Sequence, residues 1–534
     1  MKRLVCKLKP YIQPFERVLA FNELRALTGE TPKIVFGSDA RCPEFEIYTT
    51  VPVEVLVQRL AYWEAIAYDK KQQYTEQVLF EATMNVARNG ITPQQIEQIV
   101  PFRHTPPLPK KRSLRYGTHG IHEYRGKFFP QLVRSLINFE QVEARGIIAD
   151  PMSGSGTTVV EAVMLGCHGI GLDMNPLSVF IAKTKAALLA VEPQELETAY
   201  QEVRDRINAP RSTQRESRIY FNTLPEEDRD YLEDWLSEQV LNALDWIITR
   251  IKLVEHPTAR DLMLLSLSNI IRKVSWQKED DLRVRREVVD DKYIDPVGDF
   301  LSEMGRSVKT VLAFLYQRDS STLGTFCVNE GDARDADRAW ADYIGEVDTV
   351  ITSPPYATAL PYLDTDRLSL CYLGLLPRPE HRQRDQHMIG NREVTDKWRL
   401  AYWQDFQERK ADLPSSVVQL IERVDTLNSG TDIGFRRRNL PALLSRYFFD
   451  MRRVLVSISN LLRPGASAFV VVGNNHTIAG GERVEIRTAD LLADIARTIG
   501  FDLAEQIDME MLISRDIFKK NAMNSEVILH LLRP

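Results

Sequence analysis

A chain of 534 residues has room for two to four domains with sizeable cores. Hydrophobic content of 44% and charged content of 27% are those of an ordinary globular enzyme, and a net charge of −6 supplies no global attraction to nucleic acid, so any such binding rests on local basic patches. Cys6, Cys42, Cys167, Cys327 and Cys371 lie far apart with no Cys-x-x-Cys pair, which argues against a metal site or a disulfide framework and fits a reducing cytoplasm, and no run approaches the ~18 apolar residues of a membrane span.

Residues 1–105 mix short apolar runs with helical patterns such as VPVEVLVQRLAYWEAIAYDKK and carry no chemical motif, so they form an accessory region of unassigned role. The proline- and lysine-rich PFRHTPPLPKKRSLRYG (101–117) reads as a boundary that tracks over the surface. From 146 the pattern becomes strand, turn, helix, strand. GIIAD (146–150) is a short apolar strand, PMSGSG a turn, TTVVEAVMLG a helix closed by Gly166, and HGIGLD (168–173) the next strand. This is one βαβ unit of an α/β, doubly wound sheet.

Gly154 and Gly156 let backbone approach a ligand at a helix N-terminus. Val159 occupies the position of a third dinucleotide-fingerprint glycine, and Thr157-Thr158 stand where a phosphate-loop ATPase needs Lys-Ser/Thr. Asp173 ends the second strand, where a carboxylate accepts ribose hydroxyls. A largely helical insertion (186–324) follows. The sheet then resumes with TFCVNEGDA (325–333), whose Asp332 is placed to accept from an adenine amine, and with VDTVIT (347–352).

That strand ends in Ser353-Pro354-Pro355-Tyr356. Two prolines lock φ and remove donors, leaving an acceptor-only wall of hydroxyl and carbonyls that suits an exocyclic amine, beside a tyrosine able to stack on a base. A second, arginine-bearing insertion (360–440) precedes an amphipathic crossover helix, RYFFDMRRVLVSISNLLRPG (446–465), and three final strands, SAFVVVGN, FDLAEQID and EVILHLL. The chain thus divides at 1–105, 106–185, 186–324, 325–359, 360–440 and 441–534.

DPMSGSGTT, GLDMNP and TSPPY together resemble the motifs of S-adenosylmethionine-dependent amino-methyltransferases, and HGIHEYRGKFFPQL (119–132) resembles the segment ahead of the glycine loop in the cytosine-N4 branch of the DNA enzymes. The resemblance covers roughly 118–185, 325–370 and 445–534. It implies a Rossmann-like methyltransferase sheet with two largely helical insertions and S-adenosylmethionine as cofactor. The cofactor would be held by Asp150, Pro151, Gly154, Ser155, Gly156, Thr157, Asp173 and Asp332, with the ring of Phe129 against its methionine end. Ser353, Pro354, Pro355 and Tyr356 would hold the target amine of a base flipped from double-stranded DNA. Serine at the head of the cradle is typical of cytosine-N4 enzymes, where adenine-N6 enzymes usually show Asp or Asn. Cytosine carbon-5 chemistry needs a Pro-Cys nucleophile, and the chain has none. A restriction or defence-system partner is implied as well. Two rivals stay open: a transfer-RNA guanine-N2 enzyme, whose cradle usually begins with Asp, and a catalytically idle cofactor-binding subunit.

Basic clusters at Lys110-Lys111-Arg112, Arg272-Lys273, Arg283-Arg285-Arg286, Arg378-Arg382-Arg384 and Arg436-Arg437-Arg438 are candidates for phosphate contact, and target recognition is expected in the two insertions. His168 and His476 read as structural.

Overall fold

The computed structural model describes residues 1–39, 41–88, 90–102, 105–124, 129–209, 218–278, 285–288, 294–318, 323–357, 362–392, 394–429, 434–510 and 525–534. The accessory region folds into a five-stranded antiparallel sheet: β1 (Lys2–Leu8), β2 (Lys33–Ile34), β3 (Glu44–Thr49), β4 (Trp63–Tyr68) and β5 (Lys71–Tyr74), in the order β2-β3-β1-β4-β5. Alternation dictates it. Leu4, Cys6 and Leu8 are buried while Arg3, Val5 and Lys7 point outward, and Arg3 and Lys7 pair with Glu46 and Glu64 there.

The main sheet has seven strands: β6 (Ile147–Asp150), β7 (His168–Asp173), β8 (Thr325–Glu330), β9 (Val347–Thr352), β10 (Leu462–Gly473), β11 (Asp502–Glu510) and β12 (Ser525–Leu532). Their order is β11-β12-β10-β9-β6-β7-β8. Strands β8, β7, β6, β9 and β10 run parallel, and β12 is antiparallel to both its neighbours. The chain reverses its progression between β6 and β9, so the carboxyl ends of those strands flank a crevice. This is the expected Rossmann-like α/β methyltransferase sheet.

Each central strand feeds two cores with period 2. Ala149, Val350, Ala468, Val470, Val472, Val527 and Leu529 face a core shared with the crossover helix, whereas Ile148, Ile351, Phe469, Val471 and Ile528 face one shared with Leu4, Leu19, Trp63 and Ile66 of the N-terminal region. The accessory region therefore covers one face of the sheet. The linker does not simply track over the surface either: Pro106, Pro109 and Tyr116 are buried, and Arg112 pairs with Glu16 while lying 4.5 Å over the ring of Phe129.

The first insertion is helical, with Pro193–Asn208, Glu226–Trp235, Glu238–Ile251, Pro257–Val274 and Pro296–Gln317 around an apolar core. The second supplies helices Tyr362–Tyr372, Arg378–His387, Asp396–Arg409 and Ser415–Leu427. The crossover helix spans Phe435–Leu461, beginning eleven residues before its expected start at 446 and running through Pro441. Proline there cannot donate to the Arg437 carbonyl, and the side-chain amide of Asn428 does so instead at 3.0 Å. A hairpin was also unforeseen: Asn475–Ala479 pairs with Glu482–Ile486 around Gly480-Gly481, both at positive φ as a tight primed turn demands. Among the described residues, no helix is long and apolar enough to cross a membrane.

Candidate active site

At the carboxyl edge of the sheet an open cavity encloses about 780 Å³ of empty space, its mouth included. Pro151, Gly154, Ser155 and Thr157 of the glycine loop line it, together with Asp173 at the end of β7, Asp332 beyond β8, and Ser353 and Pro355 beyond β9. Eight of the residues expected from sequence thus meet in one space.

The two glycines divide their work. Gly154 has φ +47, and a Cβ there would fall 2.9 Å from Tyr124 Cε1 in the cavity wall. Gly156 (φ +79) is closed off from the cavity, since a Cβ would meet Ala182 at 2.6 Å, so its lack of a side chain lets helices Thr157–Met164 and Pro176–Leu188 pack closely. Beneath the loop, the wholly buried Lys185 donates from Nζ to the Ser155 carbonyl at 3.0 Å. No local pattern signals this: Lys183, two residues earlier, is exposed, and a lysine on an apolar helix usually snorkels outward.

Asp173 lies on the cavity floor, open to the cavity but surrounded by protein. Its Oδ2 accepts from the Gly154 N–H and its Oδ1 from the Asn175 N–H, both at 2.8 Å. Burial nevertheless prevails over these bonds and raises its pKa to about 6. Asp150 sits wholly buried behind the cavity rather than in its lining. It accepts from the Thr352 hydroxyl at 2.7 Å and the Met152 N–H at 3.1 Å, and burial pushes it up to about 7. Together with a Thr158 hydroxyl bond to the Ile351 carbonyl (3.1 Å), this stitches the end of the cradle strand to the glycine-loop strand. Asp332 takes both oxygens to the Arg334 guanidinium. Burial alone would raise its pKa, and Arg334 reverses the sign.

The cradle is fixed from two sides. Pro354 is buried, and the Pro355 carbonyl accepts from the Tyr447 hydroxyl at 2.9 Å. Tyr356 stands outside the cavity lining, packs on the core below, and donates to Glu526 Oε1 at 2.6 Å. Phe129 also lies away from the cavity, against the N-terminal core, and Tyr124 is the aromatic of that segment in the wall, its hydroxyl accepting from Ser178. Lys127 and Phe128 lie outside the described residues, as does Arg283 of the basic clusters.

Several expected phosphate contacts are spent internally. Arg112 pairs with Glu16, Lys273 with Asp299, and Arg384 with Glu330 and the Met174 carbonyl. Arg436, Arg437 and Arg438 are exposed. His168 bridges Thr325 and Tyr343, at the start of β7 and so at the opposite edge from the site.

The lining fits the nucleoside and amino-acid ends of S-adenosylmethionine. The hydroxyls of Ser153 and Ser155 are buried in the wall without hydrogen-bond partners, so a polar ligand has donors and acceptors waiting for it. Asp173 and Asp332 retain lone pairs for hydroxyls and an amine.

Sheet order, glycine loop and strand-end acids define a methyltransferase that uses S-adenosylmethionine as methyl donor. The comparisons agree. No family model matches the chain. It is 25% identical over 371 residues to the Type II methyltransferase M.MvaI of Kocuria varians, covering 67% of this chain and 77% of that one. It is 24% identical over 417 residues to the Type II methyltransferase M.BsoBI of Geobacillus stearothermophilus, covering 72% and 78%. With the Type II methyltransferase M.AvaI of a Nostoc species the figures are 22% over 395 residues, 71% and 78%. The chain is a relative of the Type II methyltransferases, and the resemblance to S-adenosylmethionine-dependent DNA methyltransferases drawn from its motifs is borne out. Which amine is methylated is not specified by these relatives.

Proposed function

We propose that the chain methylates the exocyclic amine of a base flipped out of double-stranded DNA, with cytosine-N4 as the target. The observation that carries this reading is the presence of Ser353 and Pro355 in the same cavity as Gly154 and Asp173. An acceptor-only wall suits a group that brings two hydrogens and must turn its lone pair outward.

S-adenosylmethionine, when bound, supplies a methyl group activated by its sulfonium. The protein's own part is positional and electrostatic. The Ser353 hydroxyl and the Pro354 carbonyl accept the amine's hydrogens, aim its lone pair, and stabilise the positive charge that grows on nitrogen. Tyr447 and Glu526 hold the cradle from behind, so little reorganisation is needed when the amine arrives. Flipping the base costs a few kcal/mol, offset in part by stacking on aromatic side chains. Serine at the head of the cradle supports cytosine over adenine, and the relatives support a companion restriction activity.

The test is nucleoside mass spectrometry of DNA from cells expressing the chain, beside the Ser353→Ala variant. N4-methylcytosine is expected, reduced about 10- to 100-fold in the variant as for loss of one positioning contact. N6-methyladenine would overturn the choice of base and keep the site. Absence of any modified deoxynucleoside would overturn DNA as the substrate and send the same assay to RNA.

A further inference from the structure

Met388 and Ile389 complete the cavity wall, yet they belong to the second insertion, outside every motif of the sheet. Their place is set by the turn that ends helix Arg378–His387. Arg384 donates from Nη1 to the Met174 carbonyl at 2.8 Å and pairs with Glu330, so the helix end lies across the ends of β7 and β8. Arg334, already bound to Asp332 and Asp450, donates to the His387 carbonyl at 2.8 Å. Arg446 caps the same turn through the Gln386 carbonyl, at 2.5 Å. One helix earlier in the insertion, Asp366 accepts from the Asn175 side chain at 2.9 Å, directly after β7. Two guanidinium groups on the carbonyl end of a helix also satisfy its unpaired acceptors and its dipole.

The tethers of this turn run to β7, β8 and the crossover helix, whereas the other end of the helix is held by Asp228 of the first insertion, which accepts from the Arg378 N–H. Met174 and Glu330 fix the turn over the ends of β7 and β8, the edge that carries Asp173 and Asp332, while Arg446, next to the Tyr447 that holds the cradle, fixes its other side. We infer that the second insertion is part of the cofactor site: Met388 and Ile389 form an apolar lip over the nucleoside end of S-adenosylmethionine, and Arg384 is a positioning residue for it. This rests on S-adenosylmethionine being the donor. It also moves the expected division of labour, since an insertion assigned to target recognition has one end built into cofactor binding.

Titration calorimetry of the full-length protein tests this with two ligands that share the nucleoside, S-adenosylhomocysteine and methylthioadenosine. Met388→Ala and Arg384→Gln should each weaken both ligands about tenfold, while affinity for a short DNA duplex stays unchanged. Methylthioadenosine is the informative probe, because a general loosening of the glycine loop would spare it relative to the ligand carrying the amino-acid end. Unchanged affinities in both variants, with the parent protein binding normally, would overturn the lip. So would a loss confined to DNA, which would place Met388 on the target side. Failure of the parent protein to bind S-adenosylhomocysteine would overturn the donor itself and take the lip with it.

Discussion

At the scale of single residues the site is governed by how burial and hydrogen bonding compete over three carboxylates. Asp332 is held ionised by Arg334, whereas Asp173 and Asp150 are pushed up to about 6 and 7 despite two or more donors each. Of the two raised carboxylates, Asp173 is the one that lines the cavity. A carboxylate accepts hydroxyls better than a carboxyl group does and also favours a nearby sulfonium, so the ligand should prefer the ionised form and release a proton on binding near pH 6. Affinity for S-adenosylmethionine is therefore expected to be flat above pH 7 and to fall below pH 6, by at most about tenfold per unit. The Asp173→Asn protein should bind more weakly throughout and lose this slope. Calorimetry from pH 5 to 8 in buffers of different ionisation enthalpy measures both affinity and proton release. A wild-type profile as flat as the variant's would mean that Asp173 is already ionised at pH 5 or stands clear of the ligand.

Among elements, the crossover helix Phe435–Leu461 shows where local signals mislead. Pro441 marks a boundary by every local rule, and the expected start at 446 respected it. The helix continues because Asn428, at the end of the preceding helix and nine residues before Arg437, supplies the missing donor to its carbonyl. Asn428→Ala should cost about 1 kcal/mol by leaving that carbonyl without its partner. Pro441→Ala restores a backbone donor to the same oxygen, so in the double variant the cost should largely vanish. Urea denaturation of the four proteins reads the coupling, and additive losses would show that Asn428 acts elsewhere, for instance through its bond from the Gly480 N–H. The same logic explains the rest of what could be read. Strands β7 and β9 were legible to the residue because apolar runs end sharply in Asp173 and in Ser353-Pro354. Gly154, Asp173, Asp332 and Ser353 were legible because strand ends put them on one edge. Lys185, Tyr447, Met388 and Ile389 were not, because each reaches the site from an element whose own pattern speaks only of packing. Phe129 and Tyr124 sit in one short segment that precedes a helix, and helical phase alone could not say which ring turns inward.

For the whole molecule, the consequential finding is that the N-terminal region is not an appendage. Glu161, on the helix that opens at the glycine loop, is wholly buried and accepts from Tyr116 at 2.5 Å, from His119 at 2.8 Å and from Arg134 Nε at 2.8 Å. Arg134, itself buried, donates onward to the Gln58 carbonyl and lies 5.8 Å over the ring of Phe80. Linker, accessory region and glycine-loop helix thus share one network of charge. Burial would raise the Glu161 pKa, but Arg134 and His119 hold it down at about 2. A folded-state pKa below the unfolded value contributes stability that is present above pH 4.5 and is lost as pH falls toward 2. Arg134→Met removes one charge and strands the other, so it should cost about 3–5 kcal/mol at pH 7 and markedly less near pH 3, where Glu161 protonates readily without its partner. Deleting residues 1–100 goes further, because it also bares Ile148, Ile351, Phe469, Val471 and Ile528 on one face of the sheet. Such a chain should be recovered aggregated or with a collapsed near-ultraviolet circular dichroism spectrum, and it should not bind S-adenosylhomocysteine. A soluble truncated protein that bound this ligand with parental affinity would show that the sheet stands alone, and the buried network would then be a docking contact between independent units rather than the core of one.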